Sequence, residues 1–136
     1  MQTLNHPLNI LFVYLAHPRT SRVDMEIDVT ELWHLVETLR HARVVDLIHQ
    51  KGEEFDATYI GPGKVAEVAE YLKTNPVAII ICNGTLQPGQ KFNLLKLFWA
   101  VRPNIAIWDR VYLILEIFSR HARTQEAKLQ IELARM

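Results

Sequence analysis

Short apolar runs and apolar positions at helical spacing alternate along the chain. Residues 8–16 and 77–82 are compact runs rich in branched aliphatic side chains, and each predicts a buried strand. Shorter runs at residues 44–48 and 105–108 predict two further strands. Residues 77–82 are apolar on both faces, so this strand is expected at the centre of a parallel sheet with helices on each side.

Between these runs, apolar side chains recur at i, i+3, i+4 and i+7, which predicts helices. They are Leu32, Leu35, Val36 and Leu39 in the first helix and Val65, Val68, Ala69 and Leu72 in the second. Residues 87–101 and the segment from Val111 onward are also predicted to be helical. After a polar loop at residues 19–26, Asp28 is expected to cap the first helix. A polar break at residues 121–125 is expected to divide the last helix, with Thr124 capping its second part.

Strands separated by helices of about 10–15 residues require βαβ crossovers. The sequence therefore predicts the α/β class, with a small parallel sheet and helices on both faces. We assign residues 1–110 to this α/β domain and residues 111–136 to a C-terminal helical segment.

Composition and charge narrow the function classes. The 136 residues carry 15 basic and 15 acidic side chains, so the formal net charge is zero, and only a local patch is left for nucleic-acid binding. Because the net charge is zero, copies of the chain repel one another only weakly, and self-association stays an alternative. The single cysteine, Cys82, excludes an intramolecular disulfide and a multi-cysteine zinc site. There is no apolar stretch of transmembrane length and no basic N-terminal leader, so we expect a cytoplasmic protein without a membrane span.

A glycine-rich turn is the first candidate site. Gly61, Gly63 and Lys64 stand directly before a predicted helix, where backbone N–H groups can hold a phosphate. The spacing is neither a Walker A loop nor a GxGxxG motif, because Thr58, Val65 and Ala66 stand where those patterns need Gly, Ser or Thr, and Gly. The alternative is a structural turn in which the glycines adopt special backbone angles.

Other chemical candidates are weaker. The six histidines lack metal-ligand spacing, Cys82 reads as a packing residue, and no catalytic or metal-binding set emerges. The acidic run formed by Asp24, Glu26, Asp28 and Glu31 is expected to be a solvated approach to a helix. The C-terminal region carries basic residues that form either a mixed solvated face or a phosphate-backbone contact. They are Arg110, Arg120, Arg123, Lys128 and Arg135.

Three segments together resemble one known family. Residues 56–67, which contain Tyr-Ile-Gly-Pro-Gly-Lys, are similar to a signature of the N-terminal domain of HflX-type GTPases. Residues 108–134, from Trp-Asp-Arg to Leu-Gln-Ile-Glu-Leu-Ala, are similar to a second and longer signature, and residues 83–93 lie between them. The resemblance covers residues 30–136. Acidic residues common in the family's third-strand loop are replaced by Asn83 and Gly84, which argues against a ligand role for that loop.

The resemblance implies a ribosome-associated GTPase that separates ribosomal subunits. Its N-terminal domain is expected to be an α/β unit followed by a helical hairpin that starts near Thr124, and to approach the large subunit and its rRNA. The chain contains no GxxxxGK[ST], DxxG or NKxD, so GTP and Mg²⁺ are expected only in a separate GTPase domain. The implied role is non-catalytic docking and coupling, with Arg120, Arg123 and Lys128 contacting rRNA or the GTPase domain. The alternatives are a small α/β domain that binds a nucleotide or phosphate ligand through Gly61 to Lys64, and an oligomerisation module.

Overall fold

A computed structural model describes residues 7–136, and within this range four strands alternate with four helices. The elements are β1 (Leu8–Ala16), α1 (Arg22–Glu37), β2 (Ala42–Lys51), α2 (Pro62–Thr74), β3 (Ile79–Cys82), α3 (Pro88–Trp99), β4 (Ala106–Trp108) and α4 (Arg110–Arg135). The predictions about an N-terminal leader and about His6 lie outside the described residues. None of the helices in residues 7–136 is both long and apolar enough to cross a membrane.

The strands form one sheet in the order β2-β1-β3-β4, and every neighbouring pair is parallel. β1 and β3 occupy the centre, so the apolar run at residues 77–82 lies where its pattern predicted. The α/β class with a parallel sheet is confirmed.

Helices cover both faces of the sheet, as predicted, because β1 is apolar on both faces. Ile10, Phe12 and Tyr14 pack under α1 and α4, whereas Leu11 and Val13 pack under α2 and α3. The helical side chains that close the two cores are buried at helical spacing. They are Leu32 and Val36 from α1, Leu113 from α4, Val68 and Leu72 from α2, and Leu94 and Phe98 from α3.

The start of α1 differs from the prediction. The helix begins at Arg22, inside the segment expected to be a loop, and its cap is Ser21 rather than Asp28. The Ser21 hydroxyl accepts a hydrogen bond from the Asp24 N–H at 3.0 Å, which satisfies one of the free donors of the first turn. The prediction failed because the apolar stripe used to locate this helix starts at Leu32, nearly three turns after the helix begins at Arg22.

The end of the chain also differs from the prediction. α4 runs without interruption over 26 residues, about 39 Å, and residues 121–125 do not break it. The Thr124 hydroxyl donates to the Arg120 carbonyl at 3.0 Å, so Thr124 lies inside the helix instead of capping a new one. Apolar side chains of α4 that face away from the sheet are exposed, including Leu115, Phe118 and Leu129. The boundary at residues 110 and 111 and the self-association of the chain stay predictions.

Candidate functional site

The carboxyl edge of the sheet contains its topological switch point. From β1 the chain crosses to β2 on one side, and it then returns to β3 on the other side of β1. In open α/β sheets the crevice at this point is the usual ligand site. In this chain, the crevice is closed by side chains of the protein itself.

Asn83, directly after β3, bridges the switch point with its side-chain amide. Its Oδ1 accepts a hydrogen bond from the Leu15 N–H at 2.8 Å, and its Nδ2 donates to the Leu15 carbonyl at 3.0 Å. The Tyr59 hydroxyl also donates to Asn83 Oδ1 at 3.1 Å. The amide therefore continues the hydrogen bonding of the sheet beyond β3, and the loop serves to hold strands together.

Tyr59 reaches the switch point through an unusual backbone conformation. Its φ of 68° lies in the left-handed region, and Phe55 and Tyr59 form an isolated antiparallel bridge. Its ring packs against Gly84, where a Cβ atom would lie 2.3 Å from the Tyr59 hydroxyl oxygen. Burial raises the pKa of the Tyr59 hydroxyl, which therefore stays protonated and acts as a donor. The Thr-Tyr-Ile-Gly signature thus places the Tyr59 side chain in the crevice, where its role is structural.

The polar groups of the glycine-rich turn at residues 61–64 bond to other residues of the protein. Gly61 is the N-cap of α2, and its φ of −70° is accessible to any residue. The prediction that the glycines of this turn adopt special backbone angles is therefore wrong for Gly61. Its small size matters instead, because a Cβ atom there would lie 3.0 Å from the Phe55 ring. The Gly61 N–H donates to Gln50 Oε1 at 3.0 Å, and the Lys64 ammonium lies 2.7 Å from Glu67 Oε1. Gly63 lies exposed in the first turn of α2. An anion contact at Gly61, Gly63 and Lys64 stays a prediction.

Arg110 connects α4 to α1 and to the switch point. Its guanidinium forms an ion pair with Asp28, lies 3.1 Å from Glu31 Oε1, and donates through Nε to the Asn83 carbonyl at 3.2 Å. Asp28 also accepts a hydrogen bond from the Tyr14 hydroxyl at 2.7 Å, and burial together with this bond raises the pKa of Tyr14. The acidic run is therefore not simply a solvated approach, because Asp28 and Glu31 hold Arg110.

Three of the other basic candidates lie together. Arg120, Arg123 and Lys128 line an open groove of about 620 Å³ between α4 and the end of α1. Arg40, which sequence reasoning missed, lies on the opposite wall, and His121 lines the same groove. Arg120 is 3.0 Å from Glu116 Oε2, while Arg123 donates to the Ser119 hydroxyl at 2.7 Å. We call these four cationic residues, Arg40, Arg120, Arg123 and Lys128, the basic groove.

Cys82 lies at the end of β3, fully enclosed by one of the two cores. Burial, with a smaller contribution from the charge of Asp109, raises the pKa of the Cys82 thiol to about 12. A protonated, enclosed thiol is a packing group and a poor nucleophile. Within residues 7–136, no three His, Cys, Asp or Glu side chains lie close enough together to hold a metal ion.

The raised pKa of Cys82 predicts that the fold weakens in alkali. In the unfolded chain the thiol ionises near pH 8.5, whereas in the native state it keeps its proton up to about pH 12. Above pH 8.5 the unfolded state therefore binds fewer protons, and stability falls as pH rises. We expect urea titrations to show a loss of about 1–2 kcal/mol between pH 8 and 10. The Cys82→Ala variant should lose less over the same interval, and an equal loss would contradict the assignment to this thiol.

Comparisons with known proteins agree with the fold and the signatures. Residues 26–119 match the family model described as GTP-binding GTPase N-terminal. The GTPase HflX of Alkalihalophilus pseudofirmus is 36% identical over 131 residues, which cover 94% of this chain and 30% of that protein. The GTPase HflX of Thermococcus kodakarensis is 43% identical over 101 residues, which cover 72% of this chain and 22% of that protein. The chain thus spans less than a third of the length of these relatives.

Solved structures show the same fold. The structure of SsGBP in complex with GDP has a TM-score of 0.61 at 23% identity, and the match covers 94% of this chain and 34% of that one. A GTP-binding protein from Sulfolobus solfataricus in complex with GDP gives a TM-score of 0.57 over 94% of this chain and 36% of that one. The family model covers more than half of the chain, and the HflX relatives align with most of it. The chain therefore belongs to the GTP-binding GTPase N-terminal family and is an HflX-type N-terminal domain.

Proposed function

We propose that this chain docks an HflX-type protein on the rRNA of the large ribosomal subunit and couples that contact to a GTPase domain. The observation that supports docking is the basic groove, in which Arg40 from the turn after α1 faces Arg120, Arg123 and Lys128 of α4. The chain has no net charge, so a local cluster is the only kind of electrostatic footprint it can offer to RNA.

The chemistry of the groove suits a phosphate backbone. Arginine presents several N–H donors that match phosphate oxygens, and lysine adds a compact charge. Of the four cationic groups, Arg120 has a carboxylate partner in Glu116, which is on its own helix. Among residues 7–136, the other three cations form no ion pair, so the groove keeps an excess of positive charge. Each phosphate that these cations neutralise would release bound counterions from the RNA.

Two observations support coupling of the RNA contact to a GTPase domain, namely the position of α4 and the family of the chain. The relatives are named GTPases, and this chain corresponds to under a third of their length. Arg110 connects the start of α4 to α1 and to the switch point. RNA binding at the basic groove, farther along the same helix, would therefore displace α4 relative to the sheet. In this proposal, the chain itself hydrolyses nothing, and GTP and Mg²⁺ are held by the GTPase domain. A ribosomal partner places the protein in the cytoplasm.

The test replaces Arg120, Arg123 and Lys128 together by Gln and measures binding of the whole chain to purified large ribosomal subunits between 50 and 200 mM salt. We expect affinity to fall at least about tenfold at 50 mM salt, and the slope of log K against log salt to decrease by about 2. Arg40 lines the groove opposite these three residues, so Arg40→Gln should add a further loss of affinity.

The matched control replaces Arg19, Lys73 and Lys96 by Gln. It removes the same charge from side chains that lie outside the groove. We expect binding to decrease only slightly, through the change in net charge. If both triple variants weaken binding equally, or if neither does, the basic groove is not the RNA contact.

A further inference from the structure

A second open groove lies at the other end of α1, between the first half of this helix and the end of β2. Its volume is about 870 Å³, within the size range of small-molecule sites. The groove exists because α1 packs over β1, through Leu32 and Val36, and leaves the same face of the edge strand β2 partly uncovered. Its open end lies at the carboxyl ends of β1 and β2, which is the edge where α/β sheets bind ligands.

The lining separates into an apolar floor and a cationic mouth. Met25 and Val29 of α1 and Leu47 of β2 are half-buried and form the floor. Side chains in a strand alternate between faces, so His49 and Lys51 follow Leu47 on the same side and stand at the mouth. From Leu47 to Lys51 the strand rises about 13 Å, which is the length available to a ligand with two chemically different ends.

The charge at the mouth is only partly balanced. Arg22 lies 3.5 Å from Glu26, but both side chains are largely exposed, so this pair is weak. Among residues 7–136, the Lys51 ammonium forms no ion pair. An anionic group near Lys51 and His49 would therefore gain a partner without displacing one from Lys51.

We propose that this groove binds a small organic anion, in which a carboxylate or phosphate group lies at Lys51 and His49 and an apolar body lies on Met25, Val29 and Leu47. The site is separate from the basic groove, which lies at the C-terminal end of α1, and from the turn at Gly61, which begins a helix on the opposite face of the sheet. It is also independent of RNA binding, so the two proposals fail or succeed separately.

The experiment maps amide and methyl chemical shifts of the whole chain by NMR during titration with two probes, phenyl phosphate and 4-phenylbutyrate. We expect saturable shifts that cluster at Met25, Val29, Leu47 and Lys51 for at least one probe, and the tighter probe identifies the preferred anionic group. Inorganic phosphate lacks the apolar body, and benzyl alcohol lacks the anionic group. Each of these controls should therefore bind at least about fivefold more weakly than the better probe.

Two matched variants make the proposal falsifiable. Lys51→Glu reverses the charge at the mouth on an exposed side chain and should weaken the better probe at least about fivefold. Lys96→Glu makes the same change on α3 and should leave probe affinity unaltered. Circular dichroism confirms that both variants are folded. Absence of clustered shifts with both probes, or equal effects of the two variants, overturns the proposal.

Discussion

We expect replacement of Gly84 by Ala to lower the free energy of unfolding by about 2–4 kcal/mol, from overpacking and the loss of a partly buried hydrogen bond. The added Cβ atom would lie 2.3 Å from the Tyr59 hydroxyl oxygen and 3.1 Å from Cζ of the same ring. Tyr59 is only 4% exposed, and its left-handed backbone limits where the ring can move. The ring must therefore shift, which breaks its hydrogen bond to Asn83.

The control for this prediction is the same substitution at Gly63 or Gly89. Both glycines lie in the first turn of a helix, and a Cβ atom at either position meets nothing within 4 Å. Alanine there should leave stability unchanged or raise it by up to about 1 kcal/mol, because the unfolded chain loses conformational freedom. Chemical denaturation of the three variants measures the difference. Equal stabilities for all three would show that the contact between Gly84 and Tyr59 does not constrain the fold.

We expect the Asn83→Leu variant to be destabilised by a similar amount, about 2–4 kcal/mol, because it leaves buried polar groups without partners. The amide of Asn83 satisfies both the N–H and the carbonyl of Leu15, a buried residue at the end of the central strand, and accepts the Tyr59 hydroxyl. Leucine has a similar volume but provides none of these three hydrogen bonds.

Asn93→Leu is the matched control, because the Asn93 amide makes an exposed bond to the Ala57 carbonyl at 2.9 Å. This variant should lose no more than about 1 kcal/mol. A double-mutant cycle with Tyr59→Phe adds a second measurement, since residues that share a hydrogen bond should show a coupling energy of about 0.5 kcal/mol or more. If Asn83→Leu and Asn93→Leu are equally stable, the bridge across the switch point contributes nothing to stability.

The parts of the fold that were predictable share one property, which is that the signal is local and periodic. The alternation of strands and helices, the central position of residues 77–82 and the two-sided cover all follow from apolar spacing. The wrong predictions of helix bounds concern α1, whose first turns are polar, and α4, whose middle is polar. A solvated helical turn has no apolar stripe, so only the Ser21 cap and the continuous hydrogen bonding around Thr124 reveal it.

The candidate sites were harder to predict because charge partners are distant in the sequence. Arg110 resembled Arg120 and Arg123 as a basic residue of the last helix, yet its partners Asp28 and Glu31 lie on α1. Arg40 gave no signal in the sequence, because its role depends on the packing of the end of α1 beside α4. Which cations are paired and which share a groove is a property of the assembled layers.

The amino-acid sequence by itself determined the class of the fold, the parallel sheet and the family, because these rest on periodicity and on contiguous signatures. Only the tertiary structure decided what the signatures do. Asn83 and Tyr59 are 24 positions apart, and Asn83 and Leu15 are 68 apart, yet one amide joins them and closes the crevice that is the usual ligand site in open α/β sheets. Hydrogen bonds and charges act over a few ångströms, and no pattern along the chain shows which distant residues will come within that range.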